Sequence, residues 1–238
     1  MISRMTLVPA LFCSALCALT PAGCRIGDLP EKTLPEDETP SFKRLTLSDF
    51  SRFVDPKAKA SDGEATWTEK DGVIRCTGRP RGYIYTKKSY SNFELQFEFK
   101  YDRPKQPAQW ASLNTGCLFY MRGEHRIWPD CLEVQGKYSE MGDIKSNARH
   151  IKVVSDNPRT DREDARKEPG NWNHIVLRSR DGQTLVSLND HIITGSRPTA
   201  LKEGWIGFQS EGSPVEFRNI RIRDYSRMKR PQPQTRKP

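Results

Sequence analysis

Glu133 and Gln135 stand two residues apart, alternating with Leu132 and Val134. Read as a strand, this run sends its side chains to two faces by turns. Leu132 and Val134 then face a core, while Cys131, Glu133 and Gln135 face the other way. A carboxylate and an amide share one face of a sheet, close to Trp128 in sequence. A carboxylate can take or give a proton, and an amide both donates and accepts hydrogen bonds. Such a pair suits a polyhydroxylated ligand such as a sugar. The competing reading is structural: a half-buried antiparallel strand with a wet outer face. Glu211 is a second candidate acid, sharing strand parity with Gln209 and Trp205. Glu98 is a third, with a solvated exterior as its simpler role. Asn114, Gln135 and Gln209 are candidate hydroxyl binders. Arg122, Lys145 and His125 offer positive charge, although a lone His is more often a surface residue. Trp128 is a candidate for stacking on a sugar ring, against a plain role as a core or rim aromatic.

The elements that must hold these residues are strands. Helical periodicity is hard to find between Phe42 and Tyr225. Phe93, Leu95, Phe97, Phe99 and Tyr101 alternate with Glu94, Gln96, Glu98 and Lys100, the cleanest period-two segment in the chain. Trp67–Glu69 and Val73–Cys76 flank Asp71-Gly72, a hairpin signal. Further strands are expected at Gly116–Met121, Leu132–Gln135, Trp172–Arg180, Leu185–Asn189, Gly204–Gln209 and Val215–Arg223. Many short strands with glycine turns predict a sandwich or barrel of two packed sheets. One curved sheet would leave a polar concave face. The long connections Arg103–Asn114 and Asp156–Asn171 would rim it, the second holding Pro158, Arg159, Asp161, Arg162, Glu163, Asp164 and Arg166.

The ends read differently. Arg4 precedes an apolar run from Leu7 to Leu19, too short to span a bilayer and suited to an export leader. Ala22-Gly23-Cys24 resembles the close of a bacterial lipoprotein signal, in which the cysteine is lipidated. Pro21 stands where such signals usually carry Leu, and the alternative is an ordinary secreted protein with Cys24 in a linker. The expectation is an exported protein, periplasmic or extracellular, with a membrane anchor if Cys24 is acylated. The expected layout is a leader over 1–23, a Pro- and acid-rich tether over 24–41, one domain over 42–225 and a basic tail over 226–238. The formal charge of +9 falls to +3 once Arg4 and the five cations of the tail are removed. A nucleic-acid-binding domain would carry its Lys and Arg on the fold itself, so nucleic acid is not an expected partner. Of six cysteines, Cys76, Cys117 and Cys131 belong to the domain. They are read either as three buried thiols or as one Cys117–Cys131 bridge with a thiol left over.

Several phrases, taken in order, resemble one family. They are Trp67 with Asp71-Gly72, Gly82-Tyr83-Ile84-Tyr85-Thr86, Asn92-Phe93-Glu94-Leu95 and Asn114-Thr115-Gly116. Then come Leu132-Glu133-Val134-Gln135, Trp172-Asn173, Leu188-Asn189, Gly204-Trp205-Ile206-Gly207-Phe208-Gln209 and Phe217-Arg218-Asn219-Ile220. This series is similar to the 3-keto-disaccharide hydrolase domain. The resemblance implies an all-β, concanavalin A-like jelly-roll sandwich with a carbohydrate site on its concave sheet. It also implies hydrolase or lyase activity on sugars oxidised to a ketone. Ser210-Glu211-Gly212 departs from the Asp-His-Gly that many members carry there, which removes support for a histidine at that place.

A ketone at the third carbon of a sugar acidifies the proton on the neighbouring carbon. Removing it forms an enolate, which can expel the glycosidic oxygen. That route needs a base, an acid for the leaving oxygen and a donor at the enolate oxygen. Direct hydrolysis needs two carboxyl groups across the bond. Glu133 is the first candidate for base or acid, and Glu211 the second. Nothing in the sequence demands a metal, and a carbonyl-polarising divalent cation is compatible with it. The rival functions are a non-catalytic carbohydrate-binding module and a structural envelope protein.

Overall fold

The computed structural model describes residues 39–156 and 159–226. The leader, Cys24, most of the tether, Pro158 and the tail beyond Ser226 lie outside the described residues. The chain opens with β1 (Lys43–Arg44), β2 (Phe50–Val54), helix α1 (Ala60–Thr66), β3 (Trp67–Lys70), β4 (Val73–Cys76) and β5 (Gly82–Thr86). It continues with β6 (Phe93–Tyr101), β7 (Gly116–Arg122), β8 (Asp130–Gln135), β9 (Ile144–Ser146) and β10 (Ser155–Asp156). Helix α2 (Arg159–Ala165) precedes β11 (Asn173–Arg180), β12 (Gln183–Leu188), β13 (His191–Ser196), β14 (Trp205–Ser210) and β15 (Val215–Asp224).

These strands form the expected jelly-roll sandwich of two antiparallel sheets. The larger has nine strands, in the order β10-β13-β12-β11-β6-β15-β4-β3 with β1 added to β15. The smaller has six, in the order β2-β5-β14-β7-β8-β9. On β6 the alternating aromatic and aliphatic residues are all buried, and Gln96, Glu98 and Lys100 face outward. Phe97 and Phe217 of the larger sheet meet Phe208 of the smaller at ring-centroid distances of 5.0 and 4.8 Å. Each ring buried there stabilises the sandwich by about 2–3 kcal/mol. Asp71-Gly72 and Asp181-Gly182 turn two hairpins, with φ of 52° and 75° and of 52° and 85°. Positive φ at both central residues is what a two-residue hairpin turn requires.

Strict alternation fails in β7. Phe119 and Tyr120 both enter the core, and the pairing with β8 shifts register between Phe119 and Arg122. Tyr120 sits at φ 55°, and its hydroxyl lies 2.5 Å from the Ser91 carbonyl and 2.8 Å from Ser179 Oγ. This bulge means that side chains after Tyr120 cannot be placed by counting from Gly116.

Both long connections carry structure where loops were expected. The first contains a 3₁₀ turn over Pro107–Ser112, and the second contains α2. Arg103 and Glu168 join them at 2.9 Å. Trp110 and Arg166 both pack on Tyr138. Arg162 of α2 is buried, pairs with Asp143 and donates to the Met141 carbonyl at 3.0 Å. Together they brace the turn from Lys137 to Asp143 that joins β8 to β9.

The Cys117–Cys131 bridge does not form. Cys76, Cys117 and Cys131 are buried free thiols. Cys117 pairs in register with Val134, whose side chain faces the core, whereas Cys131 belongs to a separate cluster on the outer face. Neighbouring strands thus carry the two thiols on opposite sides of one sheet. No described helix is long and apolar enough to cross a membrane.

Candidate active site on the outer face of the smaller sheet

Register places the outward side chains of the smaller sheet in rows. One row runs Tyr85, Gly207, Leu118, Glu133 and Lys145 across β5, β14, β7, β8 and β9. The next holds Tyr83, Gln209, Gly116 and Gln135. Glycines 116 and 207 leave a floor without side chains in the middle of the face. Glu133 and Gln209 lean over Gly116, since a Cβ there would overlap both Glu133 Oε1 and Gln209 Oε1.

Glu133 is only 4 % exposed although it faces outward. Its Oε2 accepts a hydrogen bond from Asn147 Nδ2 at 3.1 Å. Its Oε1 is buried without a partner among the described residues, and so are Gln209 Oε1 and Asn114 Oδ1. An unpaired buried acceptor costs about 1–3 kcal/mol. Two of them meeting over a glycine create a demand for a donor. Burial, and then the charge of Glu211, push the Glu133 carboxyl up to about 7, against the pull of Asn147 and Lys145. Glu211 is raised by burial and held down by Arg81 and Lys137.

Gln135 is fixed from the other side, its Oε1 accepting the Lys137 backbone N–H at 2.8 Å. Glu140 links two lysines, pairing with Lys137 at 2.8 Å and with Lys145 Nζ. Burial lowers the Lys145 ammonium, as do Lys137 and Arg162, while Glu133 opposes them. The braced turn therefore sets cations beside a carboxylate that none of them bonds.

Glu133, Glu211, Gln135, Gln209 and Lys145 thus share one patch, and Asn114 lies two residues ahead of Gly116, before β7 begins. Arg122 and His125 do not reach it, and Lys145 is the cation that bears on Glu133. The β7 bulge and the turn after it carry these two elsewhere. His125 packs against Tyr85 at 4.2 Å and stacks on Trp205 at 5.2 Å, and its Nδ1 lies 3.0 Å from the Tyr83 hydroxyl. Burial lowers its pKa, and its contacts are with aromatic rings. Arg122 lies 3.1 Å from His150 Nε2, beyond the β8 end at Asp130. Trp128 is 44 % exposed and lines a cleft there with Asn147 and His150. The face is also less polar than expected. Tyr83, Leu118, Met121 and Cys131 form an apolar cluster on it, joined by Phe53, Tyr85 and Trp205.

Asn147, Lys137 and Glu140 escaped the sequence reading. Asn147 follows the edge strand β9 directly, and no strand was expected there, so nothing in the sequence pointed to it. Lys137 and Glu140 lie in a turn, where parity says nothing. Among the described residues no three His, Cys, Asp or Glu side chains gather as a cation site.

A family model described as the 3-keto-alpha-glucoside-1,2-lyase-like domain matches residues 48–223. Among solved structures, the fold is similar to two candidate glycosyl hydrolases of Parabacteroides distasonis ATCC 8503. One is 24% identical, with 77% of this chain and 99% of the other covered and a TM-score of 0.54. The second is 20% identical, with 77% and 94% covered and the same TM-score of 0.54. At these identities the likeness is one of fold. No curated protein matches.

Proposed function

The chain belongs to the 3-keto-alpha-glucoside-1,2-lyase-like domain family, and from that premise we propose that it is a glycan-active enzyme cleaving glycosidic bonds of 3-keto sugars at Glu133. The observation that carries this is a buried carboxyl raised to about 7 with one oxygen unpartnered above Gly116. A group that titrates near the working pH is half ionised there and can take a proton.

In this reading the Glu133 carboxylate removes the proton from the second carbon of the oxidised ring. The C–H electron pair forms the enolate with the third carbon, whose oxygen becomes negative. Lys145 and the amides of Gln135 and Gln209 stand near enough to the acid to receive that charge. When the ketone re-forms, the pair moves to the bond between the first and second carbons and the glycosidic oxygen leaves. Glu133, protonated by the first step, gives that oxygen its proton, and Glu211, raised by burial, is the second acid beside it. Water adding to the unsaturated product would complete a net hydrolysis. Residues 1–23 would export the protein, and lipidation of Cys24 would hold it at a membrane.

A second reading, a carbohydrate-binding module, draws on the ring cluster of Tyr85, His125 and Trp205. It gives no reason for burying an acid without a cation. Incubation of the full chain with a 3-keto-disaccharide, with product analysis, separates the two. The enzyme releases a free sugar, and Glu133→Gln lowers that rate about 100-fold or more. Cleavage untouched by the substitution would remove Glu133 from the chemistry. Saturable binding without cleavage would establish the binding module.

A further inference from the structure

We propose that the cleft beyond the Asp130 end of β8 is a subsite for a sugar ring bearing an oxyanion, a carboxylate or a sulfate. This deepens the reading above and rests on Glu133 marking the reacting centre.

The cleft holds about 550 Å³ and is lined by Arg126, Trp128, Asp130, Asn147, Arg149 and His150, among others. That volume suits a small ligand. Its charges do not cancel. Asp130 is its one carboxylate, and Arg126 takes it in an ion pair. Arg149 has no ion pair among the described residues. Arg122 of β7 stands beside this lining, its Nη2 3.1 Å from His150 Nε2. An arginine can only donate, so His150 Nε2 must accept and its proton sits on Nδ1. An imidazole that accepts there leaves the Arg122 charge uncancelled and offers its Nδ1–H as a donor. Arg149 in the lining, Arg122 beside it and an imidazole N–H therefore offer donors that no carboxylate takes among the described residues. Guanidinium forks match oxyanions in two-point hydrogen bonds.

Two features make the occupant a sugar ring rather than a free ion. Trp128 shows 44 % of its surface and offers a flat apolar face to ring C–H groups. Asn147 is a wall of the cleft and also the hydrogen-bond partner of Glu133. From Asp130 to Glu133 the strand advances about 10 Å. A ring over Trp128 is then the neighbour of the ring being cut, and its substituent meets Arg122 and Arg149.

The test uses the full chain and three 3-keto-glucosides that differ in the leaving ring: glucose, glucuronic acid and glucose 6-sulfate. The expected result is a kcat/KM at least about tenfold higher for an anionic ring than for the neutral one. A preference confined to one anion identifies the source as carboxylate or sulfate. Raising the salt concentration shrinks it, and Arg122→Gln with Arg149→Gln brings the anionic-to-neutral ratio to about one. Equal rates on all three, or a preference that survives the double substitution, overturn the proposal. If none of the three is cleaved, the catalytic reading fails separately. Calorimetry with methyl glucuronide and methyl glucoside then decides the cleft. Tighter binding of the glucuronide, lost in the double variant, supports it, and equal binding overturns it.

Discussion

On the outer face of the larger sheet, Glu98 receives two hydrogen bonds from Arg218, at 3.0 and 3.1 Å, and another from Asn219. On the outer face of the smaller sheet, Glu133 receives one from an amide and none from a cation. Both acids alternate with core residues on a central strand. The Arg218 bond leads the influences that hold Glu98 below the usual carboxylate range, whereas burial leads those that raise Glu133. The contrast extends to neighbours. Glu216 pairs with Arg75 and Lys100, and Glu94 with Arg178. Glu211 has Arg81 and Lys137 only as distant charges. An acid on a polar sheet face is therefore not in itself a sign of chemistry. What distinguishes a site is an acid that the fold buries and leaves without a cation.

The largest expected effect breaks the symmetry between the two acids. Glu133→Gln lowers kcat/KM on a 3-keto-disaccharide about 100-fold or more, while Glu98→Gln leaves it within about twofold. Equal losses in the two variants would mean that both act through stability. Circular dichroism at the assay temperature checks for that.

Gly116→Ala comes next. β6 carries a side chain at every outward position, whereas the smaller sheet has Gly116 beneath its acid. A methyl group there meets the Glu133 carboxyl and the Gln209 amide and must displace one of them. A misplacement near 1 Å can cost about 100-fold in rate. The expected loss falls in kcat/KM, with a melting temperature shifted less than by a core cavity such as Phe208→Ala, which costs about 3–5 kcal/mol.

Which side of a sheet a residue takes was legible in the sequence, because period two fixes it. The faces of Glu133, Gln135 and Gln209 follow from counting along their strands, whereas Lys145 lies on β9, where no strand was expected. What an outward acid meets was not legible. Arg218 finds Glu98 through the β6–β15 register, across 120 residues of chain. The same limit applies to Cys117 and Cys131, whose strands are neighbours but whose register sets them on opposite faces. Arg122 and His125 were expected near the acid. The bulge at Tyr120 breaks the count before either is reached, and nothing in Phe119-Tyr120-Met121 announces a bulge.

Stability against pH gives a third contrast, of opposite sign on the two faces. Glu133 holds its proton more tightly when folded, so its favourable contribution is full below the ordinary value near 4.5 and lost as pH rises to about 7. A shift of that size amounts to about 3 kcal/mol. Glu133→Gln removes the loss. Its denaturant midpoint should match the wild type at pH 4 and exceed it at pH 8. Glu98 behaves in the reverse sense. Its contribution is present above the ordinary carboxylate value and disappears as pH falls through its lowered one. Glu98→Gln should therefore destabilise at pH 7 and not at pH 2, by at most about 1 kcal/mol for a pair this exposed. A Glu133→Gln variant no more stable than the wild type at pH 8 would mean that the carboxyl is not buried as described.

The smallest effect is the sharpest test, because it requires two substitutions around one acid to move a titration in opposite directions. Glu211 raises the Glu133 pKa by its charge, and Asn147 lowers it by its hydrogen bond to Oε2. If the Glu133 carboxylate is the base, kcat/KM rises with pH through about 7. Removing the Glu211 charge in Glu211→Gln should slide that limb to lower pH. Removing the donor in Asn147→Ala should slide it to higher pH. Each variant will also lower the plateau, Glu211→Gln by loss of the second acid and Asn147→Ala by loosening the base. The limb position is independent of the plateau height, so the two effects separate in one pH profile. Limbs that stay together would assign the ionisation to another group. Glu94, Glu98 and Glu216 of the larger sheet then offer no substitute, because each already has its arginine.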